Sequence, residues 1–457
     1  MLRLMNPPNQ TAPASTNYRW VICALLFFAT TFNYLDRQVI SYLKEFFCTP
    51  ANQGGFGWSN TDFANLTSAF TACYAGMTVL AGWVIDRIGT KMGLALSLII
   101  WSIFGMLNAF VGRLVAMHVL VRSAFGIGEA GNFPASIKTV AEWFPKRERA
   151  LATGIFNSGS NFGAMVAALF VPWCLIHFGD QQGWKMAFIL TGAAGFLWLI
   201  FWFWLYEPPS KQKRLSPAEY DYIHIDEEVR VSEAVSDQAK VSWWKLFSYR
   251  QTWAFFFGKF MTDGIWWFYL FWLPDYLKKQ FAMTKHDVML PTFIVYGVAI
   301  VGSIYGGSIP MTLIKKGMPV YRARMKAMFI IAVAPLAVLT TQYFGNVGHF
   351  GKMASVLAVG VICIGCAAHQ AWSANLFTTV SDMFPKKAVA SVIGIGTMAG
   401  GIGGVIIQKL AGRLTDAFRE TPQTAYLIMF IVCALSYLAA WSIMKMLVPR
   451  HKLITDL

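Results

Sequence analysis

Apolar residues recur along the chain in long, nearly uninterrupted runs that short polar connections separate. A helix of about 20 apolar residues is long enough to cross the hydrocarbon core of a bilayer. Twelve runs of this length are present, so the pattern predicts an all-α polytopic membrane protein with twelve transmembrane helices. The predicted helices, numbered spans 1 to 12 in chain order, are 20–42, 62–84, 93–112, 114–135, 151–176, 184–206, 253–277, 289–313, 327–344, 354–383, 389–417 and 424–448.

One long polar stretch, 207–250, divides the spans six plus six. Within it, Ser216-Pro217-Ala218-Glu219 reads as a capping box with proline at the first helical position, which predicts a short surface helix. The resulting organisation is an N-terminal segment 1–19, a six-helix bundle 20–206, the linker 207–250, a second six-helix bundle 253–448 and a tail 449–457.

A weak internal repeat relates the two halves. Residues 143–164 and 383–404 align without gaps at an offset of 240, with seven identities in 22 positions. Two parallel six-helix repeats around a site near the bilayer midplane are an architecture of secondary transporters. The same offset carries Glu129 of span 4 onto His369 of span 10, so each half is expected to offer a titratable group to a central cavity.

Composition agrees with a membrane protein. Hydrophobic residues make up 56% of the chain, charged residues 13%, and the mean hydropathy is +0.48, whereas soluble domains carry about 25% charged residues. The first 19 residues lack the apolar run of a cleavable signal. The formal charge of +15 does not indicate nucleic-acid binding, because the basic residues fall in short connections between spans.

Lysine and arginine set the expected orientation. When residues at span ends are assigned to the nearer face, 25 basic residues lie on the face that carries the termini and 9 on the opposite face, while four lie within spans. Because cytoplasmic loops carry the excess of basic residues, both termini are expected in the cytoplasm.

Several other functions find no support in the sequence. Cys363 and Cys366 form a CxxC inside an apolar helix without a second ligand pair, so they indicate packing and no metal site is expected. No GxxxxGK[ST] loop is present, so we expect no cofactor and an ion gradient as the energy source. No nucleophile–base pair is recognisable, and an enzyme is therefore not expected.

Span 4 contains the stretch VRSAFGIGEAGNFPA, in which two charges interrupt an apolar run. Arg122 and Glu129 are seven residues apart, which places them on one face of a helix about 10 Å apart along its axis. Gly126, Gly128 and Gly131 lie close by and would let a neighbouring helix approach. Ionisable groups inside a membrane usually face a partner or a watery cavity.

Span 1 contains the adjacent charges Asp36 and Arg37 in the sequence Asn33-Tyr34-Leu35-Asp36-Arg37. Neighbouring helical residues point about 100° apart, so these two are poor partners for each other. Arg122 and Glu129 have the matching signs, and all four charges are expected to share one wet chamber. In such a chamber an arginine would bind a substrate carboxylate through two hydrogen bonds, and a carboxylate in a dry site could carry a proton. The alternative is a purely structural buried network.

Polar and aromatic residues on other spans are candidates for the lining of this cavity. A sugar acid presents several hydroxyls, for which amides, hydroxyls and a stacking ring are the expected partners. His369 has a structural alternative as a packed hydrogen bonder. Lys259 and Asp263 are four residues apart, so either they neutralise each other or Lys259 extends to the inner surface of the membrane. The lining candidates are Asn33, Tyr34, Tyr74, Asn157, Trp266, Tyr269, His369, Gln370, Ser373 and Asn375.

The connection after span 2 reads GWVIDRIGTK and contains Gly82, Asp86, Arg87, Gly89 and Lys91. It matches GxxxDRxGxK, and in this the chain resembles the major facilitator superfamily. The resemblance implies the fold of twelve transmembrane helices in two six-helix repeats. It also implies that these loop residues act in gating at the cytoplasmic face. The corresponding loop of the second half, GGSIPMTLIKKGMP, is degenerate.

NYLDR, RSAFGIGEAGNFPA and EWFPKRERALATGIFNSGS together resemble the organic anion:cation symporter family. The segments 262–277 and 369–396 are similar to bacterial hexuronate transporters. This resemblance implies that Arg37 contacts the substrate carboxylate, that Asp36 and Glu129 carry protons, and that Arg122 pairs with them.

The expectation from this resemblance is a proton-coupled importer of glucuronate or galacturonate, monomeric and located in a bacterial inner membrane. Alternatives are a transporter of a hexonate, a hexarate or an aromatic acid, and a membrane sensor of sugar acids that does not transport them.

Overall fold

The computed structural model describes residues 16–224, 243–450 and 454, and the regular elements of this part are all helical. Residues 1–15 of the predicted N-terminal segment, 225–242 of the linker and most of the tail lie outside the described residues. The spans run over Tyr18–Cys48, Asn60–Ile88, Thr90–Leu107, Val115–Glu129 with Asn132–Trp143, Lys146–Phe178, Asp180–Leu205, Arg250–Phe281, Met289–Lys315, Val320–Val333 with Thr341–Phe344, Met353–Met383, Lys386–Ala417 and Pro422–Leu447.

Most of these helices are apolar enough to cross a bilayer on their own. In the described part, nine are long and apolar enough, and span 2, bent by 50° between Asn60–Thr78 and Leu80–Ile88, makes a tenth. The other two are span 4, which is divided into helices of 15 and 12 residues, and span 7, which carries the pair Lys259 and Asp263 within its apolar run. The all-α fold is confirmed, and most helices extend a few residues beyond the apolar runs.

Span 4 packs tightly against spans 2 and 3 through its glycines, as predicted. A Cβ atom on Gly126 would lie 2.7 Å from the carbonyl oxygen of Phe70, and one on Gly128 would lie 2.6 Å from the backbone nitrogen of Trp101. The helix is interrupted after Glu129 and resumes at Asn132. Close backbone contact therefore fixes the position of Glu129 within the N-terminal half.

We expect Gly128→Ala to destabilise the protein, because its methyl group would meet backbone rather than a movable side chain. Overpacking of this kind costs about 1–3 kcal/mol, which exceeds the gain of roughly 1 kcal/mol from alanine in a helix. Thermal unfolding in detergent measures the effect. Gly360→Ala is the control, since a Cβ there meets no atom within 4 Å. Equal melting temperatures for the two variants would contradict the packing argument.

The linker helix Pro217–His224 begins as predicted, with Ser216 Oγ accepting a 3.2 Å hydrogen bond from the Glu219 backbone nitrogen. The prediction of the second capping-box bond, from the Ser216 backbone nitrogen to the Glu219 side chain, is wrong. The Glu219 carboxylate accepts from the backbone nitrogens of Tyr18 at 2.8 Å and Arg19 at 3.1 Å, and from Arg19 Nη1 at 2.8 Å. Burial alone would raise the pKa of Glu219, but a hydrogen bond from the Thr16 hydroxyl, together with those from Tyr18 and Arg19, holds it below its ordinary value. The linker helix thus caps span 1.

The two halves meet at the end of the bundle away from the termini, here called the far end; the opposite end is the termini end. At the far end, span 11 touches span 2 so closely that a Cβ on Gly412 would overlap Ala64. Nearer the middle a Cβ on Gly401 would overlap Ala75. On the face of span 5 where Asn161 meets Gln370 of the other half, Gly154 and Asn157, closer to the termini end, are exposed. The halves are therefore closed together at the far end, and the space between them opens toward the termini end.

Candidate functional site

Arg37 of span 1 and Glu129 of span 4 form an ion pair near the middle of the bundle. Arg37 Nη2 and Nε lie 2.7 and 2.8 Å from Glu129 Oε2. Each residue is only 1% exposed. The second oxygen, Oε1, has no hydrogen-bond partner among the described residues. The sequence predicted that the charges of spans 1 and 4 meet, but not that Arg37 rather than Arg122 pairs with Glu129. The interruption of span 4 leaves Glu129 at the end of a helix segment.

Aromatic rings surround the guanidinium of Arg37. Its central carbon lies 4.3 Å from the ring centroid of Tyr34, 4.7 Å from that of Tyr74 and 5.1 Å from that of Trp267. Asn33 Oδ1 accepts from Arg37 Nη2 at 3.4 Å. Cations are attracted to ring faces, and desolvation strengthens the attraction. Because Trp267 belongs to the C-terminal half, this cluster lies where the two halves face each other.

Asp36 and Arg122 occupy a separate layer, so the prediction of one chamber shared by four charges is wrong. Asp36 is buried inside the N-terminal bundle, near Thr191 of span 6 and Arg122 of span 4. The Arg122 guanidinium lies 5.2 Å from the ring centroid of Phe188, on span 6. Consecutive residues of a helix point about 100° apart, so Arg37 faces the other half while Asp36 points into the N-terminal bundle.

This inner layer has few hydrogen bonds. Neither carboxylate oxygen of Asp36 has a partner among the described residues, nor do Nε and Nη2 of Arg122. Asp36, Arg122 and the Arg37–Glu129 pair are nevertheless close enough to influence one another electrostatically. The N-terminal half therefore contains an ion pair at the interface and two buried charges behind it.

His369 of span 10 is covered by other side chains. Its Nδ1 lies 2.8 Å from the Tyr437 hydroxyl, and its ring stacks on Trp266 with centroids 5.0 Å apart and planes 4° from parallel. His369 is 3% exposed, whereas Trp266 is half-buried. This arrangement agrees with the structural alternative for His369, with Trp266 as the ring that can reach the space between the halves.

Other predicted lining residues separate into accessible and packed positions. Gln370 Nε2 lies 3.5 Å from Asn161 Oδ1, across the two halves. Ser373 is half-buried, and Asn157, one turn before Asn161 toward the termini end, is exposed. Asn375 is buried and donates at 2.8 Å to the carbonyl oxygens of residues 306 and 371, so its predicted lining role is wrong.

Tyr269 was also predicted on the wrong face. It is buried in the C-terminal half, with its hydroxyl beside Gly365 of span 10 and Cys433 of span 12. Trp267, which the sequence did not single out, is the aromatic residue of span 7 that reaches Arg37. The sequence placed Trp266 and Tyr269 on span 7 but could not show how that helix is rotated about its axis.

The loop between spans 2 and 3 lies at the termini end, away from this site. Asp86 pairs with Lys138 at 2.7 Å, and Lys91 pairs with Glu207 at the start of the linker at 2.5 Å. The remaining loop residues shape the turn or contact its surface: Arg87 lies on Trp83, Gly89 has φ +84° between the two helices, and Gly82 is half-buried.

Lys259 and Asp263 form the predicted pair at 2.6 Å. Cys363 and Cys366 are buried free thiols. Within the described ranges, no three His, Cys, Asp or Glu side chains form a group that could hold a metal ion.

A second charged cluster, missed from the sequence, joins the halves at the far end. Lys44 Nζ lies 2.6 Å from Asp275 Oδ2 and donates to Asn60 Oδ1 at 2.8 Å. Asp275 also lies 3.2 Å from Lys279 Nζ and accepts a hydrogen bond from the Tyr426 hydroxyl. The signal was weak because Lys44 lies just beyond the predicted end of span 1, where a lysine usually reaches water.

The sequence matches the family model described as Major Facilitator Superfamily over residues 26–408. Among curated relatives, the hexuronate transporter of Escherichia coli strain K12 is 29% identical, with 93% of this chain and 94% of that protein aligned. The D-galactonate transporter of E. coli O6:H1 is 25% identical over 94% of this chain and 97% of its own length. The galacturonate transporter of Dickeya chrysanthemi is 31% identical over 64% of this chain and 81% of its own length.

Solved structures share the fold at lower identity. A bacterial homologue of the human lysosomal transporter Spinster, in an inward-facing and occupied conformation, superposes with a TM-score of 0.69 at 17% identity, covering 95% of this chain and 97% of that one. A D-xylose-proton symporter gives a TM-score of 0.68 at 16% identity, covering 93% and 97%.

Proposed function

The chain belongs to the Major Facilitator Superfamily, a family of transporters rather than enzymes, and we propose that it imports hexuronates such as glucuronate and galacturonate by proton-coupled alternating access. The curated relatives that carry sugar-acid names support the substrate class. The observation that carries the proposal is the buried Arg37–Glu129 pair, because it places a carboxylate-binding group beside a carboxylate that can take a proton.

In this proposal, Arg37 binds the substrate carboxylate. A guanidinium holds a carboxylate through two parallel hydrogen bonds, one to each oxygen. Arg37 contacts only one oxygen of Glu129, Oε2. An arriving substrate carboxylate therefore competes with Glu129 for the same donors. The sugar hydroxyls are left to the accessible amides and hydroxyls nearby, which are Tyr34, Tyr74, Asn157, Gln370 and Ser373.

The same competition couples substrate to protons. When Arg37 turns to the substrate, Glu129 is a buried carboxylate without its cation, and an uncompensated buried charge is costly. Protonation removes that cost, so substrate and proton bind together; on release, Arg37 recaptures the ionised Glu129. Asp36, behind the pair and beside Arg122, is the second proton carrier in this proposal.

The energetics favour more than one proton or a contribution from the pH gradient. A proton that moves inward across 100 mV gains about 2.3 kcal/mol, and a monoanion that moves the same way loses the same amount. Symport of one proton with one monoanion moves no net charge and is thus driven by the pH gradient alone. Two protonatable carboxylates, Asp36 and Glu129, would allow both gradients to contribute.

The proposed location is the bacterial inner membrane, with the protein as a monomer. The excess of basic residues between the spans supports cytoplasmic termini. With this orientation the far end faces the outside and the termini end faces the cytoplasm, so the present conformation would be open to the inside.

The test is uptake by purified protein in vesicles with an imposed pH gradient. We expect accumulation of labelled galacturonate that collapses when a protonophore is added. Competition by unlabelled hexuronates, hexonates, hexarates and aromatic acids ranks the alternatives. Binding without accumulation for every acid would instead indicate a sensor and contradict the proposed transport.

A further inference from the structure

Span 1 carries another buried cation, Lys44, seven residues beyond Arg37 toward the far end. Seven residues are about two turns, so the two cations project from the same side of the helix, roughly 10 Å apart along its axis. Both meet aromatic rings of span 7: Lys44 Nζ lies 4.5 Å from the ring centroid of Trp272, as Arg37 lies near Trp267. Lys44 and Arg37 are therefore two successive levels of the interface between the halves.

The two members of the Lys44–Asp275 ion pair differ in the contacts that they make within their own halves. Its anionic partner, Asp275, belongs to the C-terminal half, and its hydrogen-bond partner within its own half, Asn60, is neutral. Asp275 has two further partners in its own half, Lys279 and the Tyr426 hydroxyl. When the halves part at the far end, Asp275 keeps these partners, while Lys44 loses the anion that neutralises it.

The surroundings of Lys44 suit the entry of an anion. A cleft of about 790 Å³ lies beyond it at the far end. Three cations, Lys278, Lys279 and Arg419, line this cleft together with two carboxylates, Glu45 and Asp275. A buried ammonium without an anion is unfavourable. Once the far end opens, a carboxylate from solution is the natural replacement for Asp275, because charge-assisted hydrogen bonds are the strong ones.

We propose that Lys44 is a second carboxylate-binding cation on the transport route, covered by Asp275 while the far end is closed and offered to an incoming sugar acid when it opens. Asp275 occupies in the closed state the position that the substrate carboxylate takes in the open state. From Lys44 the carboxylate moves one level inward to Arg37. This inference rests on the proposed function, since it requires an anionic substrate that enters from the far end.

The test compares entry from the two sides. Uptake of labelled galacturonate, or of the acid that the wild type accumulates most, is measured in intact cells, where it meets the far end, and in inside-out vesicles, where it meets the termini end. We expect Lys44→Gln to raise the KM in cells about tenfold, because a tenfold change corresponds to the loss of one charge-assisted hydrogen bond. The KM in inside-out vesicles should stay within about twofold, and Lys44→Arg should restore most of the affinity.

Asp275→Asn is the matched control, because it breaks the same ion pair but keeps the cation. We expect its KM in cells to equal or fall below that of the wild type. If the pair served only to close the far end, Lys44→Gln and Asp275→Asn would change transport alike. An unchanged KM for Lys44→Gln in cells would overturn the proposal. So would a failure of Lys44→Arg to restore affinity, which keeps the test decisive if Asp275→Asn does not fold.

Failure of the proposed function looks different. A wild-type protein that accumulates no sugar acid would contradict hexuronate transport itself, whereas normal wild-type uptake with an unaltered Lys44→Gln variant contradicts only the role of Lys44.

Discussion

Arg37→Ala is expected to reduce sugar-acid uptake at least about 100-fold, through loss of substrate binding. The guanidinium is the carboxylate-binding group at the interface between the halves, surrounded by Tyr34, Tyr74 and Trp267. Removing one partner from a buried charge pair costs about 2–5 kcal/mol, and a factor of 100 corresponds to about 2.7 kcal/mol. Binding of labelled substrate to purified protein, measured alongside vesicle uptake, distinguishes lost affinity from slow transport.

Two controls separate a binding defect from misfolding. Arg37→Ala leaves Glu129 without its cation, so the double variant Arg37→Ala/Glu129→Gln restores charge balance and should recover thermal stability without recovering binding. Arg322→Ala removes an exposed arginine and should leave uptake intact. Normal substrate affinity in the double variant would rule out Arg37 as the carboxylate-binding group.

Glu129→Gln is expected to abolish uphill accumulation while preserving substrate binding. Glutamine has nearly the shape of glutamate, and its amide oxygen can still accept from Arg37, but it cannot exchange a proton. With an imposed pH gradient, the ratio of internal to external substrate should fall to about one, whereas counterflow, which needs no net proton movement, should persist. The driving force lost through Glu129 in this assay is that of the pH gradient, about 1.4 kcal/mol per proton for each pH unit.

The comparison for this variant is Glu420→Gln, which removes an exposed carboxylate and should accumulate substrate as the wild type does. Undiminished accumulation by Glu129→Gln would exclude Glu129 as a proton carrier. Equal loss of counterflow and accumulation would point to a defect in binding or in the conformational change.

The sequence identified the charged residues of the site because the relevant signal is local. Arg122 and Glu129 lie two turns apart in an apolar run, and a membrane helix rarely holds such charges without a partner. Which charge of span 1 meets which charge of span 4 depends on the rotation of span 1 about its axis. That rotation is set by tertiary packing, so the single chamber predicted for Asp36, Arg37, Arg122 and Glu129 became two layers.

The same limit explains the errors on span 7. Trp266, Trp267 and Tyr269 lie within one turn, and their spacing cannot tell which of them meets the N-terminal half. The Lys44–Asp275 pair was missed for a different reason. Its members are 231 positions apart in the sequence, and only the closure of the far end brings them together. Contacts that depend on conformation leave no periodic signal in one chain.

The hydrogen bonds of Glu219 have a consequence for folding during synthesis. The first backbone nitrogens of the first helix are capped by a residue about 200 positions later. During synthesis on a ribosome, these groups wait until all six helices and the start of the connecting segment have emerged. The first completed folding unit therefore ends near His224 rather than at the last residue of the sixth helix. A nascent chain halted before Glu219 would lack the N-terminal cap of its first helix.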